Sequence, residues 1–152
     1  MASSAFSASR PHAEALVRLV SGLVLTVLAA ACAVPISYYD ATTYKSLTDL
    51  KVDATQLVAS FDTKPVGENE ARISDVTTRL LKAYEYEKGK GKPNSDTMKQ
   101  LEKIKGLFDQ DVGDYRSGAK LGSKFFREAA VALGQAFDIA ISTENLKNKD
   151  KH

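Results

Sequence analysis

The chain has 152 residues, of which 43% are hydrophobic and 26% charged, with a formal net charge of +2. That mixture fits one globular domain and lacks the strong basic excess of a nucleic-acid binder. With one cysteine and two histidines in the whole chain, an internal disulfide is excluded and little material is left for thiol or imidazole chemistry.

Arg10, His12 and Arg18 make a basic leader, and no charge occurs from Leu19 to Ala31. A basic start, an apolar centre of about 7–15 residues and small residues before a cut form the layout of a secretory signal peptide. The apolar run is short for a spanning helix, which takes about 20 residues, and extending it backward brings in Arg18. It ends in Leu28-Ala29-Ala30-Ala31-Cys32, which resembles the lipobox of bacterial lipoproteins. That family prefers Leu three residues before the cysteine; here Ala29 holds that place and Leu28 lies one position back.

The resemblance implies cleavage between Ala31 and Cys32, a diacylglycerol on the Cys32 sulfur and a further acyl chain, such as palmitate, on its amine. Two or three chains give stable anchoring where one is marginal. The covalent lipid would be the only non-protein group, with no other cofactor expected. Ala33, rather than Asp, follows the cysteine, which by the same resemblance implies the outer membrane, facing the periplasm. Three other readings stay open: ordinary cleavage after Ala29-x-Ala31 with release of a soluble protein, an uncleaved anchor, and a plain buried Cys32.

Four segments follow: a signal peptide at 1–31, an acylated cysteine and tether at 32–43, a helical domain at 44–146 and a polar tail at 147–152. Without residues 1–31, 19 basic and 18 acidic side chains remain, on a chain long enough for a modest core. In the tether, Pro35 discourages helix, and Tyr38 and Tyr39 suit either a lipid interface or the open end of the core.

Tyr44, Leu47, Leu50, Ala54, Leu57, Val58 and Phe61 recur at spacings of three and four, which predicts a helix from Ala41 to Phe61. Pro65 and Gly67 end it. A second helix, Glu68 to Lys88, carries Ile73, Val76, Leu80, Leu81 and Tyr84. Gly89, Gly91 and Pro93 break it. Asn94 or Ser95 is positioned to cap a third helix, with Asp96 in its first turn and Met98, Leu101, Ile104, Phe108, Val112 and Tyr115 as its stripe. A fourth, Ser123 to Asn145, carries Phe126, Ala129, Ala130, Leu133, Phe137 and Ile141. The expected fold is all-α, an antiparallel four-helix bundle, with a frayed polar tail.

His12 leaves with the signal peptide and His152 is the last residue. The mature body therefore holds no internal histidine, which removes Ser-His-Asp and Cys-His catalysis and the ordinary zinc sites. Asp109, Asp111 and Asp114 lack the Gly and Glu that a calcium loop needs at Asp114 and Lys120, and read as a solvated helix end. "KGKGKPNS" has the glycines of a phosphate loop without its Gly-Lys-Ser/Thr order. Glu85 and Glu87, two apart on a helix, point in different directions and read as surface charges.

No catalytic and no metal-ligating residues are assigned. The expected role is non-enzymatic: an envelope lipoprotein that meets the membrane through its lipid and engages an envelope protein or peptidoglycan, with no nucleic acid. Small helical envelope lipoproteins joined to peptidoglycan through a C-terminal lysine offer a partial resemblance, from which the terminal His152 departs. The alternative is a helical module for a small apolar or anionic ligand, motivated by aromatic residues on the stripes and by Gly134 inside the fourth helix.

Overall fold

A computed structural model describes residues 37–118, 121–122 and 124–147. They belong to one compact unit, Ile36–His152. The described residues are helical with no strand, so the all-α expectation holds.

Helix α1, Ala41–Ala59, starts where the Asp40 carboxylate accepts the Thr42 backbone N–H, at 2.8 Å. That satisfies one of the donors a helix leaves open at its start. The helix tightens into a 3₁₀ turn at Ser60–Asp62. Helix α2, Val66–Gly89, begins directly after Pro65. Gly67 lies inside its first turn, and the alternating Tyr-Glu run at 84–87 stays helical. Gly91, with φ of +77°, makes the turn into a 3₁₀ segment at Lys92–Asn94 and then helix α3, Ser95–Ser117. Gly118 closes α3 in the left-handed conformation, φ +65°, which glycine adopts without strain. Helix α4 runs Phe125–Leu146.

Helix α1 packs most extensively on α4, and α2 on α3; α3 also meets α4, and α1 meets α2. The buried positions are spaced four and three on every helix. They are Leu47, Leu50, Ala54 and Leu57 on α1; Ile73, Val76 and Leu80 on α2; Leu101, Ile104 and Phe108 on α3; and Ala130, Leu133, Phe137 and Ala140 on α4. A stripe at that spacing is the face a helix buries against its neighbours. Burying these stripes against one another supplies what the isolated helices lack in water. Phe108 and Phe137, both 0% exposed, are the largest of the fully buried side chains. Leu81, placed on the α2 stripe by its spacing, is 47% exposed instead.

The two ends of the core differ. At one end Phe61 stacks on Tyr115, with ring centroids 3.9 Å apart, and Phe126 meets both edge-on. The Tyr115 hydroxyl donates to the Lys64 carbonyl at 2.7 Å and accepts from Asn69 Nδ2 at 3.1 Å. At the other end the start of α1, the end of α2, the start of α3 and the end of α4 are joined by side chains that are polar and charged.

Candidate functional site

Ala31 and Cys32, the expected cleavage and lipidation residues, lie outside the described residues. The described chain begins at Ser37, beside one end of the helical body. Ser37 donates its backbone N–H to the Pro93 carbonyl at 3.0 Å. Asp40 donates its own to Glu144 Oε1 at 2.7 Å. The incoming chain is thus held to the α2–α3 connection and to the last turn of α4 before α1 begins. Beside it Tyr39 lies against Tyr44, with centroids 6.2 Å apart, while Tyr38 is 78% exposed.

Beneath this entry lies a polar clasp. Glu87 is 1% exposed and accepts from Thr43 Oγ1, Asn94 Nδ2 and Lys90 Nζ. Lys90 also reaches Asp40 at 2.7 Å and Thr43 Oγ1 at 2.6 Å. Glu144, 0% exposed, pairs with Lys147 at 2.7 Å, and Lys147 also donates to Thr97 and Asn94. Buried charges demand such complete pairing, since an isolated one costs far more than a hydrogen bond returns.

Three expectations are corrected here. Glu87 is not a surface charge but the acceptor at the centre of the clasp. Lys147 does not begin a frayed tail, because its ammonium is held by Glu144 of α4, Thr97 of α3 and Asn94 of the 3₁₀ segment before α3. Asn94 does not cap α3 through its side chain, because its amide is committed to Glu87 and Lys147.

The clasp fixes protonation. Burial alone would lower the Lys90 ammonium, but its bonds to Asp40 and Glu87 outweigh that and hold it above its ordinary value. Burial would likewise raise Asp40, but Lys90, the Tyr86 hydroxyl and the Thr42 N–H together hold its carboxylate well below the usual range. Thr43, Lys90 and Glu87 contain the parts of a hydroxyl nucleophile with a lysine base. Lys90 is held there as an ammonium between Asp40 and Glu87 and is not a free base.

Next to the clasp, α1 and α2 part to leave a cleft of about 240 Å³. The clasp residues Thr43 and Glu87 line it, with Ser46 and Leu47 of α1, Arg79, Lys82, Ala83 and Tyr86 of α2, and Leu101 of α3. Leu47 and Leu101 belong to the core, so the cleft reaches the apolar interior. Space beside Gly134, by contrast, is closed: a Cβ there would sit 3.5 Å from Thr55 Cγ2, an ordinary contact. Phe61, Tyr115, Phe125 and Phe126 pack on one another, and none of the core phenylalanines lines the cleft.

At the far end of α3, Asp111 is 9% exposed, which corrects its reading as a solvated helix end. Burial, with Asp114 nearby, pushes its carboxyl up to about 6. Among the described residues no group of three or more His, Cys, Asp or Glu is placed to hold a metal ion, and no helix is long and apolar enough to cross a membrane. No protein-family model, curated protein or solved structure matches the chain.

The polar residues of the clasp were missed because they are not apolar, yet their positions carried a signal. Thr43 lies four residues before Leu47, Thr97 four before Leu101 and Glu144 four after Ala140. Each continues the buried spacing of its helix.

Proposed function

We propose that the chain is a membrane-anchored lipoprotein of the bacterial cell envelope. Acyl chains on Cys32 hold it at the outer membrane, and its helical body, facing the periplasm, serves a non-enzymatic structural or interaction role toward an envelope protein or peptidoglycan. The observation that carries this reading is the uncharged run Leu19–Ala31 ending in three alanines and the only cysteine. In this proposal the four helices run alternately up and down as an antiparallel four-helix bundle. The polar clasp supports that arrangement, since it joins the starts of α1 and α3 to the ends of α2 and α4.

Intact mass of the membrane-extracted protein tests the reading. The expected mass is that of a chain beginning at Cys32 plus a diacylglycerol and one further acyl chain. A Cys32→Ser variant is expected to lose both the cut and the lipid. An unmodified thiol on a freely dissolved protein would overturn the proposal.

A further inference from the structure

We infer that the cleft between α1 and α2 binds a small carboxylate-headed amphiphile, its apolar chain over Leu47, Ala83 and Leu101 and its carboxylate at Lys82. The inference rests on the cleft alone and stands whether or not Cys32 is acylated. At about 240 Å³ the cleft falls just under the range of about 300–1,000 Å³ usual for drug-sized ligands. It therefore suits a molecule with a short chain.

The chemistry of the lining sets the ligand class. Leu47, Ala83 and Leu101 make a hydrocarbon floor, and the remaining lining residues are polar or charged, a floor to hold a chain and a margin to orient its head. The acids and bases around the cleft are already engaged, with one exception. Arg79 is bound to Asp53 at 2.6 Å and to Asp75 at 3.4 Å. Lys45, on the adjoining surface, is bound to Asp49 at 2.5 Å. Glu87 is committed to the clasp. Lys82 alone among these lining charges has no acidic partner among the described residues. It is exposed and lines the cleft.

Ser46 adds a second group. Thr48 and Thr55, on the same helix, turn their hydroxyls back onto carbonyls three and four residues earlier. The half-buried Ser46 makes no such bond among the described residues and lines the cleft, leaving its hydroxyl to donate to a carboxylate. A cation and a hydroxyl over a hydrocarbon floor favour a singly charged head with an apolar tail. An uncharged chain would leave Lys82 unused, and a short polar anion would leave the floor uncovered.

Octanoate titrated into the ¹⁵N-labelled full chain, below its micelle concentration, tests this. Saturable shifts are expected at the amides of Ser46, Leu47, Lys82 and Ala83. Octanol and acetate, which supply the tail and the head separately, should each bind about tenfold or more weakly. Lys82→Gln, at an exposed position, should weaken octanoate about three- to fivefold, the scale of one screened ion pair. Ser46→Leu, which fills the cleft, should abolish the shifts. Absence of saturable shifts, shifts centred elsewhere, or equal affinity in Lys82→Gln would each overturn the inference. If Ser46→Leu does not fold, Lys82→Gln and the octanol comparison decide alone.

Discussion

Glu144 Oε1 accepts the backbone N–H of Asp40 at 2.7 Å, across 104 positions of sequence. The bond ties the residue that opens α1 to the last turn of α4. The same carboxylate uses its second oxygen on Lys147, so one fully buried side chain joins two helices and orients a third group. Such a charge is kept only while every partner is in place.

Glu87→Ala is therefore expected to destabilise the protein by about 1–3 kcal/mol, because it leaves the buried Thr43 hydroxyl and Asn94 amide without their acceptor and takes one of the two carboxylates from Lys90. Glu87→Ala combined with Lys90→Met should cost more than Glu87→Ala alone, since the second change also removes the ion pair between Lys90 and Asp40. Urea unfolding of the two variants against the parent chain checks both statements.

Two aspartates impose opposite pH dependences. Asp111 has a carboxyl pushed up to about 6 in the fold against about 3.9 in an unfolded chain. Between those values the folded state binds more protons, so this group's contribution falls as pH rises through the interval and stays unfavourable above it. Asp111→Asn should stabilise the protein by about 1–3 kcal/mol at pH 7. The gain should disappear below about pH 4. Thermal unfolding of both proteins from pH 3 to pH 8 reads the difference.

Asp40 carries the reverse sign. Its carboxyl is depressed in the fold, so its contribution is present above its ordinary value of about 3.9 and is lost as pH falls further. Asp40→Asn keeps an oxygen to cap Thr42 and removes the charge facing Lys90 and Tyr86. The expected cost at pH 7 is about 1 kcal/mol, allowing for partial solvent screening. The variant should also show a shallower acid limb in the same pH series.

Gly106 and Gly113 lie inside α3, where an added Cβ would meet nothing within 4 Å. Alanine at either position should stabilise by about 0.5–1 kcal/mol. Gly118→Ala should destabilise, since φ there is +65° and an L side chain is strained in that region. Differences in urea midpoint at constant slope test the three variants.

At the aromatic end, Tyr115→Phe preserves the stack on Phe61 and removes the hydroxyl. The Lys64 carbonyl and the buried Asn69 amide lose their partner, at an expected cost of about 1–3 kcal/mol. Faster hydrogen exchange at the start of α2 should accompany it.

The helices were legible because each repeats apolar residues at three and four, and their observed ends fall within two residues of the expected ones. Proline and glycine punctuation was legible too, apart from Gly67, which the helix after Pro65 absorbs. The polar core was not legible from composition or charge. A Glu on a helix is solvated unless another element brings it a donor. Glu87 gains its donors from Thr43, forty-four residues earlier, and from Asn94 beyond the Gly91 turn. Extending each stripe by four residues would have found Thr43, Thr97 and Glu144, but only packing could reveal that they share one end. Asp111 follows the same logic at the opposite side of Phe108, three residues along the seam. The cleft beside Lys82 depends on the spread between two helices, which no local pattern encodes.

The way the chain enters the body also has a mechanical consequence. Tension applied upstream of Ser37 does not fall on the first turn of α1 alone. The Ser37–Pro93 and Asp40–Glu144 bonds divert it into the α2–α3 connection and the final turn of α4, and Tyr86 and Lys90 grip the Asp40 carboxylate from a third direction. Peeling α1 away requires these attachments to give together, so a load pulled through the leading segment is spread over the whole near end.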